Sequence, residues 1–379
     1  MNRFVSLRIC YLTRWSVASA LVLGLTLSAC QDHQLASPGQ GIQPTGSPDV
    51  PFASMMKPQM RAVIEELARL APTPIEQLTP QQARMQPSFK DAVNSLLDKN
   101  RITPPIPKVT KSERMIPGAG GVPIRVVLYT PTGASSMAAP ADRPVIVYYH
   151  GGGWVIGSPE VYEYSTLALA QNTGAVVVSV DYRLSPENKF PTAHEDAYAA
   201  YKWVKENAAT IGGNAAKVAV AGESAGGNMA ITVSMMARDR MGAGFLPIHI
   251  LSVFPVANND LFTPSYNRYA NAKPLSRPAV QYFVANYFNS PADGDSPLIS
   301  LVDVANLSGL PPTTIIAAEI DPLQSEGMLL RDKLQSVGVQ VTYKLYEGTT
   351  HEFFGMYAVV PEAAQAQELA AIQLRNAFR

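Results

Sequence analysis

Short runs rich in Val, Ile and Tyr alternate with helical patterns along most of the chain, and no other feature constrains the fold as tightly. VPIRVVLY (122–129), PVIVYY (144–149), AVVVSV (175–180), KVAVA (217–221), IHILSVF (248–254), TTIIAA (313–318) and VQVTYKL (339–345) each predict a buried strand. Helical periodicity fills most of the intervals, at 166–172, 192–207, 226–240, 325–336 and 362–378. Parallel neighbours need a crossover helix between them, so the pattern predicts an α/β fold with a mainly parallel sheet covered by helices on both faces. The stretch 256–300 is polar and punctuated by proline, with one helix near 277–288, and reads as an insertion. No internal repeat occurs.

In such a sheet, chemistry collects at the carboxyl ends of the strands. KVAVA is followed by Gly222, Glu223, Ser224, Ala225, Gly226 and Gly227, which open a helix. Glycine two residues either side of a serine lets a strand turn sharply into a helix with the hydroxyl projecting, the arrangement of a nucleophile elbow. A serine hydroxyl needs a basic partner to act as a nucleophile at neutral pH. Of the five histidines, His33 lies near the N-terminus, His150 heads a glycine loop, His194 falls in a helix and His249 inside a strand. His351, in YEGTTHEFFG after the last strand, is the candidate base. Its orienting carboxylate should follow a strand between serine and histidine. Asp321, ending TTIIAAEID ahead of Pro322, fits best, with Glu347 as the runner-up. HGGGW (150–154) follows the strand PVIVYY and exposes backbone amides, so Gly152, Gly153 and Ala225 are candidate donors to an oxyanion. His150 is expected to shape that loop rather than to carry protons.

HGGGW, DYRLSPE (181–187), GESAGG, IDPL (320–323) and THEFFG occur in the order seen in the hormone-sensitive lipase family of esterases, the bacterial family IV group, and the chain resembles that family from about Met55 to Arg379. The resemblance implies an α/β-hydrolase fold, a Ser224–Asp321–His351 triad, oxyanion donors from HGGGW, and a helical cap built from the N-terminal helices and the 256–300 insertion. It implies a carboxylic ester substrate of short-to-medium acyl length, an acyl-enzyme, and neither metal nor cofactor. The competing readings are a small-molecule receptor on the same fold, a class that has lost the histidine, and an amide or formamide hydrolase. Glu223 departs from the family, which more often places Asp or Thr before the serine. Met55, Met56, Met60, Tyr282, Phe283 and Phe288 could line an acyl pocket, although apolar residues at helical spacing are more often core. Asp181, Arg183, Glu195 and Asp196 read as a buried structural charge network.

The N-terminus has a different organisation. Arg3, Arg8 and Arg14 precede an apolar stretch from Trp15 to Leu27, and no acidic residue occurs before Asp32, so residues 1–29 read as an export signal. The apolar run is short for a bilayer-spanning helix, which needs roughly 20 residues. Leu27, Ser28, Ala29 and Cys30 resemble a lipoprotein cleavage box, with Cys30 lipidated and the mature protein anchored at the cell envelope, on the outer membrane facing the periplasm in a two-membrane host. Residues 30–51 read as a flexible tether and 52–107 as the N-terminal part of the cap, with the catalytic domain at 108–379. Over the 379 residues, 30 basic residues balance 30 acidic ones without a basic run, so nucleic acid is not an expected partner. Two cysteines, Cys10 and Cys30, are too few for a disulfide scaffold or a four-ligand zinc site.

Overall fold

A computed structural model describes residues 39–47, 50–132 and 142–379. The proposed export signal, Cys30 and the first half of the tether therefore lie outside the described residues. Eight strands form one sheet: β1 (Val109–Pro117), β2 (Pro123–Pro131), β3 (Val145–Tyr149), β4 (Val176–Asp181), β5 (Val218–Glu223), β6 (Ile250–Val253), β7 (Thr313–Ile320) and β8 (Val341–Thr350). Their spatial order is β1-β2-β4-β3-β5-β6-β7-β8. β2 runs antiparallel to both β1 and β4, and every other pair is parallel.

The apolar runs of the central strands follow from burial on both faces. Val145, Val147 and Tyr149 of β3 point into one core, while Ile146 and Tyr148 point into the other. A strand buried on both sides has no polar positions to alternate with. The sequence reading missed β1 for the opposite reason: of its nine residues only Ile116 is buried. It is held by its backbone ladder to β2, which an apolar pattern does not report.

Helices α4 (Glu163–Thr173), α5 (Thr192–Asn207), α6 (Ala225–Met241), α9 (Gln324–Ser336) and α10 (Pro361–Ala377) cover the sheet, with bounds close to those predicted. The cap is made of α1 (Pro58–Leu70), α2 (Pro80–Met85), α3 (Phe89–Lys99), α7 (Pro264–Arg268) and α8 (Arg277–Tyr287). Thr79 and Ser88 each cap the helix they precede, with Gln82 and Asp91 reaching back to complete the capping boxes. Glu66 of α1 binds Lys99 of α3 at 2.6 Å and accepts from the Ser95 hydroxyl, which joins the two helices through one largely buried carboxylate. Arg84 of α2 fastens the cap to the sheet layer: it donates to the Val155 and Ser185 carbonyls at 2.8 and 2.6 Å and pairs with Glu187 of DYRLSPE at 2.7 Å.

Two sequence expectations need correction. The segment 39–47 is not free tether. Ile42 has no exposed surface and belongs to the main core. The Thr45 amide and hydroxyl both donate to Glu65 of α1, the hydroxyl at 2.7 Å, and Arg61 of α1 donates to the Ser47 carbonyl. An isolated isoleucine in a polar stretch carries no periodicity, so its burial could not be read. The four charged residues near DYRLSPE also do not form one buried network. Asp196 is fully buried and takes bonds from Arg183 Nη2 at 2.7 Å and the Ala119 amide at 2.9 Å. Its helix neighbour Glu195 points about 100° away, because successive helical side chains diverge, and pairs with Arg240 near the surface. Asp181 pairs instead with Arg125 of β2 at 2.9 Å.

Candidate active site

The turn from β5 into α6 places Ser224 at φ 57° and ψ −118°, a left-handed conformation that a non-glycine residue rarely adopts. Close packing enforces it. A Cβ on Gly222 would fall 2.2 Å from the Gly226 carbonyl oxygen, and one on Gly226 would fall 1.9 Å from that of Tyr149. The turn is locked by the Ser224 amide donating to Val253 of β6 at 2.9 Å.

His351 directly follows β8 and Asp321 directly follows β7, and these strands are parallel neighbours. The register brings the two residues together: His351 Nδ1 lies 2.7 Å from Asp321 Oδ2, and His351 Nε2 lies 2.9 Å from Ser224 Oγ. The other Asp321 oxygen, Oδ1, accepts the Leu323 amide at 2.9 Å, which fixes the carboxylate from its far side. Glu347, the alternative, is exposed on β8 and does not reach the imidazole. Burial of His351 opposes its charged form, but the Asp321 carboxylate, by charge and by hydrogen bond, together with Glu352 and Glu223, raises its pKa above the ordinary value.

HGGGW follows β3, with Gly152, Gly153 and Trp154 all at positive φ. The Gly152, Gly153 and Ala225 amides donate to no backbone carbonyl among the described residues, so they are available beside the serine. His150 beneath them stacks on Tyr182 with ring centroids 4.2 Å apart and interplanar angle 12°, and Tyr182 donates to the His150 carbonyl at 2.9 Å. Burial lowers the His150 pKa, in keeping with a packing role. Glu223 accepts the Tyr148 hydroxyl from β3 and, among the described residues, no hydrogen bond from this loop. It is fully buried, and burial, aided by the charge of Glu352 and only partly opposed by the Ser165 and Tyr148 hydroxyls and by His351, pushes its pKa up to about 8.

A cavity of about 1150 Å³ opens over Ser224 and His351. Of the six apolar residues considered for an acyl pocket, Phe283 and Phe288 line it. Met56 and Met60 are core, as their helical spacing allowed, and Met55 packs against that core. Phe283 of α8 sits directly over the glycine loop, where a Cβ on Gly153 would come within 2.3 Å of its ring. The structure also adds a residue that the sequence reading overlooked: Glu352, whose Oε1 lies 3.9 Å from His351 Nε2. Its position next to the histidine was the only available signal. Among the described residues no group of His, Cys, Asp and Glu is arranged to hold a metal ion.

The geometry is that of a hydrolase with a serine at a strand-to-helix turn, and comparison with known proteins agrees. Residues 146–355 match the model of an α/β-hydrolase-fold family. Carboxylesterase NlhH of Mycobacterium tuberculosis is 36% identical over 281 residues, covering 73% of this chain and 86% of that protein. An ethyl acetate hydrolase of Pseudomonas putida is 34% identical over 230 residues, covering 59% and 72% respectively. The solved esterase of Pyrobaculum calidifontis superposes with a TM-score of 0.73 at 36% identity, covering 85% of this chain and 98% of that one. The chain belongs to this α/β-hydrolase family, in its hormone-sensitive-lipase-like branch of carboxylic ester hydrolases.

Proposed function

We propose that Ser224, His351 and Asp321 hydrolyse short-to-medium acyl esters through an acyl-enzyme. The observation that carries this reading is the continuous hydrogen-bonded line from Ser224 Oγ through the imidazole to Asp321, at 2.9 and 2.7 Å, on the floor of the cavity. Ser224 Oγ attacks the ester carbonyl carbon as its proton passes to His351 Nε2. Asp321 keeps Nδ1 protonated and stabilises the imidazolium. The carbonyl oxygen becomes an oxyanion received by the amides of Gly152, Gly153 and Ala225. His351 returns the proton to the leaving alcohol, and a water then repeats the sequence to release the acid. Short chains are favoured because Phe283 closes the cavity over the glycine loop, and the ethyl acetate hydrolase relative supports the same class.

Replacing Ser224 by Ala is expected to abolish both p-nitrophenyl ester hydrolysis and fluorophosphonate labelling while leaving the melting temperature near that of wild type. Near-normal turnover in a folded variant overturns the assignment. Saturable ligand binding by the wild type without turnover would support a receptor instead. We also propose that the protein is exported and anchored through a lipidated Cys30, on the strength of the Leu27–Cys30 pattern and the basic, apolar segment before it. Intact mass of the membrane fraction tests this: a diacylated or triacylated Cys30 terminus is expected, and an unmodified terminus after Ala29 refutes it.

A further inference from the structure

Deacylation makes a demand on the site that acylation does not. The attacking water must present one proton to His351 Nε2 while its lone pair faces the acyl carbon, and a water bound only to Nε2 is free to rotate about that bond. On the cavity side of the imidazole, Glu352 Oε1 stands 3.9 Å from Nε2. A single water can close that span by donating one O–H to each, since such bonds measure about 2.7–3.0 Å.

Three features hold the carboxylate there. Glu352 lies in the left-handed region, at φ 68° and ψ 3°, an uncommon conformation for glutamate that turns its side chain back along the imidazole. The Tyr162 hydroxyl donates to Oε1 at 2.8 Å, and Tyr162 itself is almost fully buried. Gly151, the first glycine of HGGGW, makes room for that hydroxyl: a Cβ there would fall 2.4 Å from it. The second carboxylate oxygen, Oε2, is buried without a partner among the described residues, so the group has unused acceptor capacity.

We propose that Glu352 orients the hydrolytic water of the deacylation step, with Tyr162 as its positioning residue; this rests on the acyl-enzyme reading above. The balance is simple. The water oxygen bonds to the acyl carbon, one water proton passes to Nε2, and the other stays on oxygen, hydrogen-bonded to Glu352. Collapse of the tetrahedral intermediate breaks the bond to Ser224 Oγ, which takes the proton back from Nε2, and the acid leaves.

An alcohol nucleophile provides the test, because methanol has one O–H, satisfies His351 alone and has none to give Glu352. With a p-nitrophenyl ester in aqueous methanol, the acyl-enzyme partitions between acid and methyl ester. Substituting Glu352→Met is expected to raise the methanolysis-to-hydrolysis ratio about tenfold, Glu352→Gln, which keeps an acceptor oxygen, by less, and Tyr162→Phe by a smaller factor still. Fluorophosphonate labelling, which reports Ser224 activated by His351 and needs no water, should persist in all three. General loosening of the site slows both products together and leaves the ratio unchanged. An unchanged ratio in folded variants, with methyl ester still formed by the wild type, therefore overturns the role of Glu352 alone. Absence of methyl ester from the wild type overturns the acyl-enzyme reading and this proposal with it. Should Glu352→Met fail to fold, Glu352→Gln and Tyr162→Phe decide the matter.

Discussion

The carboxyl ends of β5, β7 and β8 and the cap above them are built by different means. At the sheet, backbone register brings Ser224, Asp321 and His351 together at the ends of neighbouring strands. In the cap, side chains do the holding: Glu66 joins α1 to α3, Arg84 pins α2 to the DYRLSPE loop, and Glu65 grips the strap at 39–47. Substitutions in the triad should therefore change rates far more than stability, while those beneath the strap should do the reverse.

The largest effects belong to the sheet ends. Asp321→Asn is expected to lower kcat about 10³- to 10⁴-fold, and His351→Ala at least as much, because an unoriented or absent imidazole cannot take the serine proton. Melting temperatures should fall little by comparison. Wild-type kcat should rise with pH through the His351 range, with its midpoint above 6.5, since the neutral imidazole is the base and its pKa is raised. A midpoint well below 6.5, or a loss confined to Glu347 variants, would contradict this arrangement.

The strap supplies the converse. Ile42→Ala should cost about 2–5 kcal/mol of stability by leaving a cavity in the main core, with kcat per folded molecule unchanged at low temperature. Removing everything before Pro51 should cost more, because Glu65 also loses its Thr45 donors. Urea unfolding followed by fluorescence measures both. A truncated protein as stable as the full-length chain would return 39–47 to the status of tether.

A smaller effect is expected where cap and sheet meet. Phe283→Ala opens the space over Gly153 and should move the preference toward longer acyl chains, by about tenfold in kcat/KM between a two-carbon and an eight-carbon ester, the lower end of what one methylene is worth in an apolar pocket. A chain-length profile identical to wild type would show that Phe283 packs the cap without bounding the acyl group.

These differences also explain what the sequence discloses. The elbow, the glycine loop and the order of Ser224, Asp321 and His351 are local motifs on strand ends, so each is legible within a few residues. Of the cap helices, α1 and α3 are legible through apolar periodicity and α8 within the proline-punctuated insertion, whereas α2 and α7 are too short to show a period. Ile42, Glu352 and β1 are not, for three reasons: Ile42 is buried by a long-range contact without local pattern, Glu352 depends on a backbone conformation that its residue type disfavours, and β1 buries a single residue and so carries no apolar alternation. Phe283 and Met60 sat in the same kind of apolar pattern, and only tertiary packing separated the cavity residue from the core residue.

The smallest effect, and the one that joins the two regions, concerns Glu223. It sits in the elbow yet behaves as a packing residue, buried against Tyr148, and burial raises its pKa from an ordinary 4.5 to about 8. Between those values the unfolded chain has released the proton and the folded chain still holds it. The unfolded state therefore binds fewer protons, and stability must fall as pH rises through that window. The contribution is fully present below pH 4.5 and gone above about 8. Glu223→Gln removes the titration while keeping the shape, so its unfolding free energy should fall less steeply than that of wild type from pH 5 to 8. It should match wild type near pH 5 and exceed it near pH 8. Turnover should change by less than a few-fold, because Glu223 donates nothing to the reacting atoms. Parallel stability curves for the two proteins across that range would mean that the carboxyl ionises normally, and that the Tyr148 hydroxyl is enough to carry a buried carboxylate one residue from the nucleophile.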